Sequence, residues 1–531
     1  VSPTGISLPI ASAADWERYE GMLLRFEQVL AVTGNEKWAQ YGELALAPAR
    51  LYQPTDVVDP NDNPAIGTSS SGNSNVPAVL AHADHNARSA IVLDDGRSAQ
   101  YPSPPPLIGP QGTVRCGSTV AGLTGVLTFS SGSYRLHPVG SVSLQHAQRP
   151  AVPSVGGALR IAGMNVRNYF TTLGQSGAST SAELQRQRAK LVAALQAMNA
   201  DAYLLCELEN GDPASDDLLG ALNAATGGGY AQINHDAPGS FTRSVILYRT
   251  LALTPVTILW ALNTSTFERA MITQGFRANA SGKRFLASMV HLRSKLCTNA
   301  SGGNLDQGDG QGCYNARRKQ QVSELLNHWA EVRSSVWIPG QLIMGDFNAY
   351  DQEDPIDRMR AAGLVDLVTA VPQPYTYQFG DAFGSLDHAF ATTAMADAVT
   401  GAAVWHINSD EPAGLDYRDS NAALYQADAF RCSDHDPILV GIDPDAIPVG
   451  IEEEALMPAV RFGYDAAARM AAWEADAPIR VELLDALGRS VRAEAPGLSI
   501  RMDLSGLPAG AYAWRAEAGE GRRAAGRFLA W

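Results

Sequence analysis

The chain has 531 residues, 45% of them hydrophobic and 18% charged, with a formal net charge of −15. That length exceeds one ordinary core and implies two to four domains, and the composition excludes a disordered chain. No apolar run approaches the ~20 residues of a membrane-spanning helix, and an acidic chain gains nothing from its global field near a polyanion, so a nucleic-acid role needs local cations or a metal.

The first residues, VSPTGISLPI, lack the basic start and long apolar stretch of a signal peptide and read as a processed or truncated amino terminus. Up to about residue 150, short strand-like runs (GMLLRFEQVLAVT, SAIVLDD, TVAGLTGVLTF, SYRLHPV) alternate with Pro- and Gly-rich turns, and helical periodicity is scarce. A small β domain is predicted over 1–150, with TSSSGNSNVP (68–77) as a loop.

From residue 156 the pattern changes to strand–helix–strand. ALRIAGMNV reads as a strand and SAELQRQRAKLVAALQAMNA as an amphipathic helix with Leu184, Leu191, Leu195 and Met198 on its apolar face, and DAYLLCELE is a strand again. The rhythm continues through RSVILYR, FLASMVHL, the helix ARRKQQVSELLNHWAEVRS, QLIMGDFN, SLDHAFAT and DPILVGI, so 156–443 is predicted to be mixed α/β. A linker is expected over 444–457. Alternation with tight turns at LGRS and LPAG predicts a small β-sandwich over 458–531.

The chain has five cysteines and no CxxC pair, which argues against structural zinc. Cys297 and Cys313 flank the polar loop TNASGGNLDQGDGQG, where a disulfide is expected to add ~3 kcal/mol and to imply an oxidising compartment.

In the α/β unit, polar side chains gather where apolar strands end: Asn165, Glu207, His291, Asp346, Asn348, Asp387 and the pair Asp434–His435. Sheet ends are where α/β proteins build active sites, and so many polar groups are costly there unless they meet a cation and a substrate. Hard oxygen ligands without thiolates select Mg²⁺ or Mn²⁺, with Ca²⁺ as a further candidate. Histidines beside them add acid–base capability, and the set fits water attack on a phosphoester.

The ordered segments RIAGMNVRNYF, LLCELEN, VHLRSK, GDFNAY, GSLDHAF and CSDHDP resemble the signatures of the endonuclease/exonuclease/phosphatase (DNase I-like) family. Further segments (EGMLLRF, YGELAL, RLYQPT, GDGQGCYNARR, WHINSDEP) resemble its large secreted bacterial nucleases, so that the likeness covers roughly residues 16 to 442. The resemblance implies a four-layer α/β sandwich preceded by a small OB-like β domain. It implies a metal held by Glu207 with Asn165 beside it and Asp434 adding metal or water contacts. It implies that Asp346 aligns water, that Asn348 helps hold the phosphate, that His291 and His435 contact that phosphate, and that Asp387 fixes the His435 tautomer. Asp436 is assigned to the turn. Arg269, Trp405 and His406 are substrate-contact candidates. For each the competing reading is a salt bridge, a core tryptophan or a satisfied histidine. Lys and Arg in RRK (317–319) and the acids Asp306 and Asp309 read first as solvated groups.

One departure stands out. Relatives carry an acid before the strand matching RSVILYR that supports the residue matching His291, where this chain has GSFTRS, with Ser240 and Thr242. The carboxy-terminal unit resembles sorting domains of the type IX secretion route. The expected protein is a monomeric, extracellular, metal-dependent nuclease acting on DNA ahead of RNA. Its alternatives are a phospholipid or sugar phosphodiesterase and a surface-binding protein with a decayed site.

Overall fold

The computed structural model describes residues 2–61, 74–336, 338–369, 374–448, 461–465, 468–485, 489–518 and 523–530. The chain forms two compact units, Val1–Pro448 and Val449–Trp531. Positions 449–457 of the expected linker and 68–73 of the expected loop lie outside the described residues.

The α/β part of the first unit is built on two sheets. In chain order its main elements are β1 (Leu159–Tyr169), α1 (Ser181–Met198), β2 (Ala202–Glu209), α2 (Asp212–Thr226), β3 (Tyr230–Asn234), β4 (Thr242–Arg249), β5 (Met271–Ala278), β6 (Arg284–His291), α3 (Asn315–Val336), β7 (Gln341–Asp346), α4 (Asp354–Ala361), β8 (Asp387–Ala391), β9 (Val399–Val404) and β10 (Ile438–Ile442). One sheet has the order β3-β4-β2-β1-β10-β9, and the other is centred on β5-β6-β7-β8.

Strand periodicity decides which side chains meet between the sheets. Ile161, Leu204, Ile246 and Val440 from the first sheet pack on Ile272, Met289, Leu342, Met344 and Ala389 from the second. Their neighbours point outward: Met164, Tyr203, Leu205, Val245 and Leu247 receive Leu191, Leu195, Leu218 and Leu222 of α1 and α2. On the opposite face Val290, Ile343 and Phe390 receive Val322 and Leu325 of α3 and Met359 of α4. The result is the helix–sheet–sheet–helix order expected from the sequence. Helix α1 starts and stops where its caps dictate. Thr180 accepts the Glu183 N–H (3.1 Å), and Asn199 closes the last turn at φ +46°.

Ahead of this sandwich lies an eight-stranded, mixed sheet running from Thr4–Ile6 to Ser133–Pro138, with its own core around Leu24, Phe26, Trp38, Leu46 and Leu136. The β-rich expectation is met there with one correction. Val76–Ser89 is a 14-residue helix. It buries only Val79 and Ser89, and its apolar stripe (Val76, Val79, Leu80, Ala83, Ala87) consists mostly of small side chains and begins inside the expected loop.

The carboxy-terminal unit is a five-stranded β structure. Met470–Leu484 pairs along its length with Ser490–Asp503, and between Glu474 and Ile479 it exchanges Arg461–Asp465 for Gly510–Ala518 as its other neighbour. Trp473, Val481, Leu483, Met502 and Trp514 fill its core.

Candidate active site

All the strand-end polar groups lie at one end of the two sheets. His291, Asp346 and Asp387 are consecutive register partners across β6, β7 and β8. Gly345 makes this approach feasible, because a Cβ there would sit 1.9 Å from the Val290 carbonyl oxygen. Asp346 also closes an Asx turn. Its Oδ1 accepts the Asn348 N–H at 2.8 Å, which leaves Oδ2 for the site. Asn348, at φ +49°, donates to the Leu292 carbonyl (3.1 Å).

Opposite, β1 and β2 are both distorted where they present their ligands. Pairing of β2 slips between Cys206 and Leu208 against β1 and between Leu205 and Leu208 against β4, and Glu207 takes φ +66° inside that bulge. Arg167 and Asn168 also have positive φ, and their N–H groups donate to Asn165 Oδ1 (2.8 Å) and Glu207 Oε2 (3.0 Å). Positive φ at non-glycine residues costs of order 1–3 kcal/mol each and persists where surroundings impose it. Here it turns Asn165 and Glu207 toward Asp346, with Asn165 Nδ2 3.2 Å from Asp346 Oδ2.

The two histidines differ. His435 Nδ1 lies 2.7 Å from Asp387 Oδ2, and its Nε2 lies 3.9 Å from Asp346 Oδ2. Burial opposes its charge, but Asp387 and Asp346 outweigh burial and hold the imidazole well above its ordinary range. His291 has its nearest carboxylate oxygens at 3.6 Å (Asp346) and 3.7 Å (Glu207), and burial together with Arg269 and His435 pulls it well below that range. Ser240, at the GSFTRS departure, turns inward to the Thr242 carbonyl, and Asp236 pairs with Arg243. The site therefore favours the charged form of one imidazole and the neutral form of the other. Burial raises Asp346 to about 7, with Asp387 and Glu207 adding to the effect, and burial and Asp434 raise Glu207.

Oxygen and nitrogen donors of Glu207, His291 and Asp346 lie within 4.8 Å of one another, as do those of Asp346, Asp387 and His435. Two acids raised by desolvation, Asp346 also by the Glu207 charge, suit a divalent cation, and the donor set is hard and free of thiolate.

Other assignments sort differently. Asp434 faces Arg167 (3.9 Å), which holds it below its usual range against the effect of burial, and its charge raises Glu207. Arg269 donates to the Leu292 carbonyl at 2.9 Å and lies close enough to bias Glu207 and His291. Trp405 is core, packed among Ile407, Ala429 and Leu439 with its indole N–H on the Pro150 carbonyl, so it offers no face to a substrate. His406 stacks on Tyr375 (3.8 Å) and bonds to Asp436 (3.0 Å), the satisfied reading. Arg318 is buried under the disulfide loop, donating to the Cys313 and Gln311 carbonyls. Asp306 and Asp309 accept loop N–H groups from Gly308 and Gln311. Cys297 and Cys313 are bonded, and Cys116, Cys206 and Cys432 are buried thiols.

Sequence reasoning missed Tyr377, whose ring lies 4.5 Å from that of His435, and Thr376, whose hydroxyl accepts the Asp387 N–H at 3.1 Å. Thr376 precedes, and Tyr377 opens, the strand Tyr377–Phe379, which at three residues is too short to show a periodicity.

The model of the Endonuclease/Exonuclease/phosphatase family matches residues 164–435, from the β1 ligand strand to His435. The chain belongs to that family. Its members are generally hydrolytic phosphoesterases, and the fold and the metal-capable acid–histidine group agree with it. Among solved structures, the chain is similar to the human Nocturnin catalytic domain with bound sulfate anion (16% identity, 53% of this chain and 93% of that one, TM-score 0.36). It is also similar to a mannosyl-6-phosphatase of Bacteroides thetaiotaomicron (18%, 54% and 99%, 0.37) and to D. rerio TDP2 complexed with single strand DNA product (16%, 53% and 97%, 0.35). No curated protein matches the chain.

Proposed function

We propose that this family member is a secreted, divalent-metal-dependent nuclease that hydrolyses internal phosphodiester bonds of nucleic acid, DNA ahead of RNA, with little sequence preference. The observation that carries the reading is the convergence of Glu207, His291, Asp346, Asp387 and His435 at one sheet end. Asn165 and Glu207 would hold Mg²⁺ or Mn²⁺, which as a Lewis acid polarises a phosphoryl oxygen. Asp346 Oδ2 orients the attacking water and takes its proton. A carboxyl poised near neutrality suits that task. The His435 imidazolium, fixed by Asp387, faces the charge that grows on the phosphate, and neutral His291 contributes a hydrogen bond. Local cations Arg167 and Arg269 offset the acidic chain where the polyanion must approach.

Secretion is supported by the Cys297–Cys313 bridge, a bond that persists in oxidising compartments, and by the likeness of the carboxy-terminal β unit to sorting domains. No helix among the described residues is long and apolar enough to cross a membrane. A monomer is the expected state.

The test is cleavage of supercoiled plasmid with Mg²⁺, Mn²⁺ or EDTA by wild type, Asp346→Ala and His291→Ala. Metal-dependent nicking lost in Asp346→Ala supports the reading, and the residual activity of His291→Ala measures that imidazole's share. Absence of nicking under every metal, with turnover of a phospholipid or sugar phosphodiester, would move the chain to another substrate class.

A further inference from the structure

Segment 406–411 (HINSDE) joins the N-terminal region to the strand start that carries His435. On the N-terminal side its two acids are enclosed by cations. Arg115, 3% exposed, reaches Glu411 Oε1 with Nη1 (2.6 Å) and uses Nη2 for Asp410 Oδ2 (3.0 Å) and the His406 carbonyl (2.9 Å). Arg50 reaches Asp410 Oδ1 (2.6 Å), Arg149 Nε reaches Glu411 Oε1 (3.0 Å), and Thr113 Oγ1 donates to Glu411 Oε2 (2.7 Å). The Asp410 carbonyl accepts from Cys116 N–H (3.0 Å) and Asn35 Nδ2 (2.8 Å).

On the active-site side the same segment holds the backbone and neighbour of His435. Asp436 Oδ1 accepts the N–H groups of Asn408 (2.7 Å) and Ser409 (3.0 Å), and its Oδ2 accepts from the Ser409 hydroxyl. Asn408 Nδ2 donates to the His435 carbonyl at 2.6 Å. A second tie runs under Asp387: Asp56 Oδ1 accepts the Ser385 N–H (2.8 Å), and the Gln53 N–H donates to the Phe383 carbonyl (2.7 Å).

We infer that Arg115 is a positioning residue for His435, and that the N-terminal region completes the catalytic unit instead of serving it as a detachable nucleic-acid-binding module. Three arginines of the N-terminal region, Arg50, Arg115 and Arg149, are spent on Asp410 and Glu411 and are not offered to phosphates. The matched family region begins only at residue 164, so the arginines of this clamp lie outside it and Asp410 and Glu411 lie within it. Arg115 makes three bonds in a planar fork that a lysine ammonium cannot reproduce.

The kinetic arm of the test rests on the phosphodiesterase reading. The full chain carrying Arg115→Lys should lose kcat for plasmid nicking by roughly tenfold to a hundredfold, the cost of an ångström-scale misplacement, with KM unchanged. In a His435→Ala background the same change should cost nothing further, the non-additivity that marks coupled residues. An equal loss in both backgrounds overturns the inference. Hydrogen exchange supplies a readout without catalysis: peptides covering 406–411 and 433–437 should lose protection together. Loss in 406–411 with 433–437 unchanged overturns it as well. If wild type hydrolyses no diester, the functional reading fails and the exchange result alone decides the positioning role. Should Arg115→Lys not fold, Arg50→Lys, at the more exposed edge of the same clamp, takes its place with the same criteria.

Discussion

Asp346 and Asp387 are register partners on β7 and β8, and both face one imidazole: His435 Nε2 is 3.9 Å from Asp346 and Nδ1 is 2.7 Å from Asp387. The pairing makes the imidazole cationic from both sides, and it assigns Asp387 the Nδ1 proton. Asp387→Asn keeps the shape and removes the charge. We expect kcat to fall by about 10²–10⁴, the range for a misassigned general acid–base group, while KM holds. The basic limb of the pH–rate profile should also move to lower pH. His435 is raised in the native protein, so its imidazolium survives above the ordinary range only while Asp387 is ionised. The stabilising effect of the pair is full below the unfolded histidine value and is lost as pH rises through the native one. A profile whose basic limb stays in place in Asp387→Asn would falsify the assignment.

The acids at Glu207 and Asp346 are raised because they are buried together. A divalent cation should relieve that, so binding should stabilise the fold independently of turnover. At one hundred times the dissociation constant the gain is about 2.7 kcal/mol. We expect Mg²⁺ or Mn²⁺ to raise the melting temperature of wild type by a few degrees and to leave Glu207→Gln unmoved. Binding should strengthen as pH rises through about 7, where Asp346 loses its proton. Equal shifts in both proteins would place the cation elsewhere.

How much of this was readable beforehand follows from the physics of each residue. The sandwich was legible because its strands alternate strictly: Ile161 and Leu204 face one layer while Ala162 and Leu205 face the other. The site was legible because six short segments each place a polar ligand in or beside an apolar strand. What the sequence hid depends on long-range contact. Nothing local says that Trp405 is sealed against Pro150, that Asp434 pairs with Arg167, or that Asp436 organises residues 406–409 beyond its own turn. The Val76–Ser89 helix was hidden for a different reason: its apolar stripe is built mostly of small side chains and follows directly on a Ser-, Gly- and Asn-rich stretch that reads as loop.

The Cys297–Cys313 bridge closes a loop of separation 16 that has few apolar anchors. Its loop carbonyls at Gln311 and Cys313 also receive the buried Arg318. Cys297→Ser should therefore lower stability by about 3 kcal/mol, measured as a lower urea midpoint of the larger unit. Added reductant should bring wild type to the same midpoint and leave the variant where it is. A midpoint unchanged by either treatment would mean that Arg318 and its carbonyl bonds hold the loop alone.

Asp56 offers a further pH test, because it lies in the N-terminal region and outside the Glu207–Asp346 group, beside Asp351 and His388. Burial, reinforced by the Asp351 carboxylate, raises it to about 7 from 3.8, against the N–H groups of Ser385 (2.8 Å) and Asp351 (3.4 Å) that favour the ionised form. The native state thus holds this proton more tightly than the unfolded chain. Stability must decline as pH rises across that interval and then level off. Asparagine has an Oδ1 that accepts the same two N–H groups and no charge to desolvate. Asp56→Asn should match wild type near pH 4 and exceed it at pH 8. The full shift would give about 4 kcal/mol, and partial access to water reduces this to about 1–3 kcal/mol. Chemical denaturation at pH 4, 6 and 8 reads the difference directly. A variant less stable than wild type at pH 8 would show that ionised Asp56 is a net stabiliser, with its two N–H partners outweighing burial.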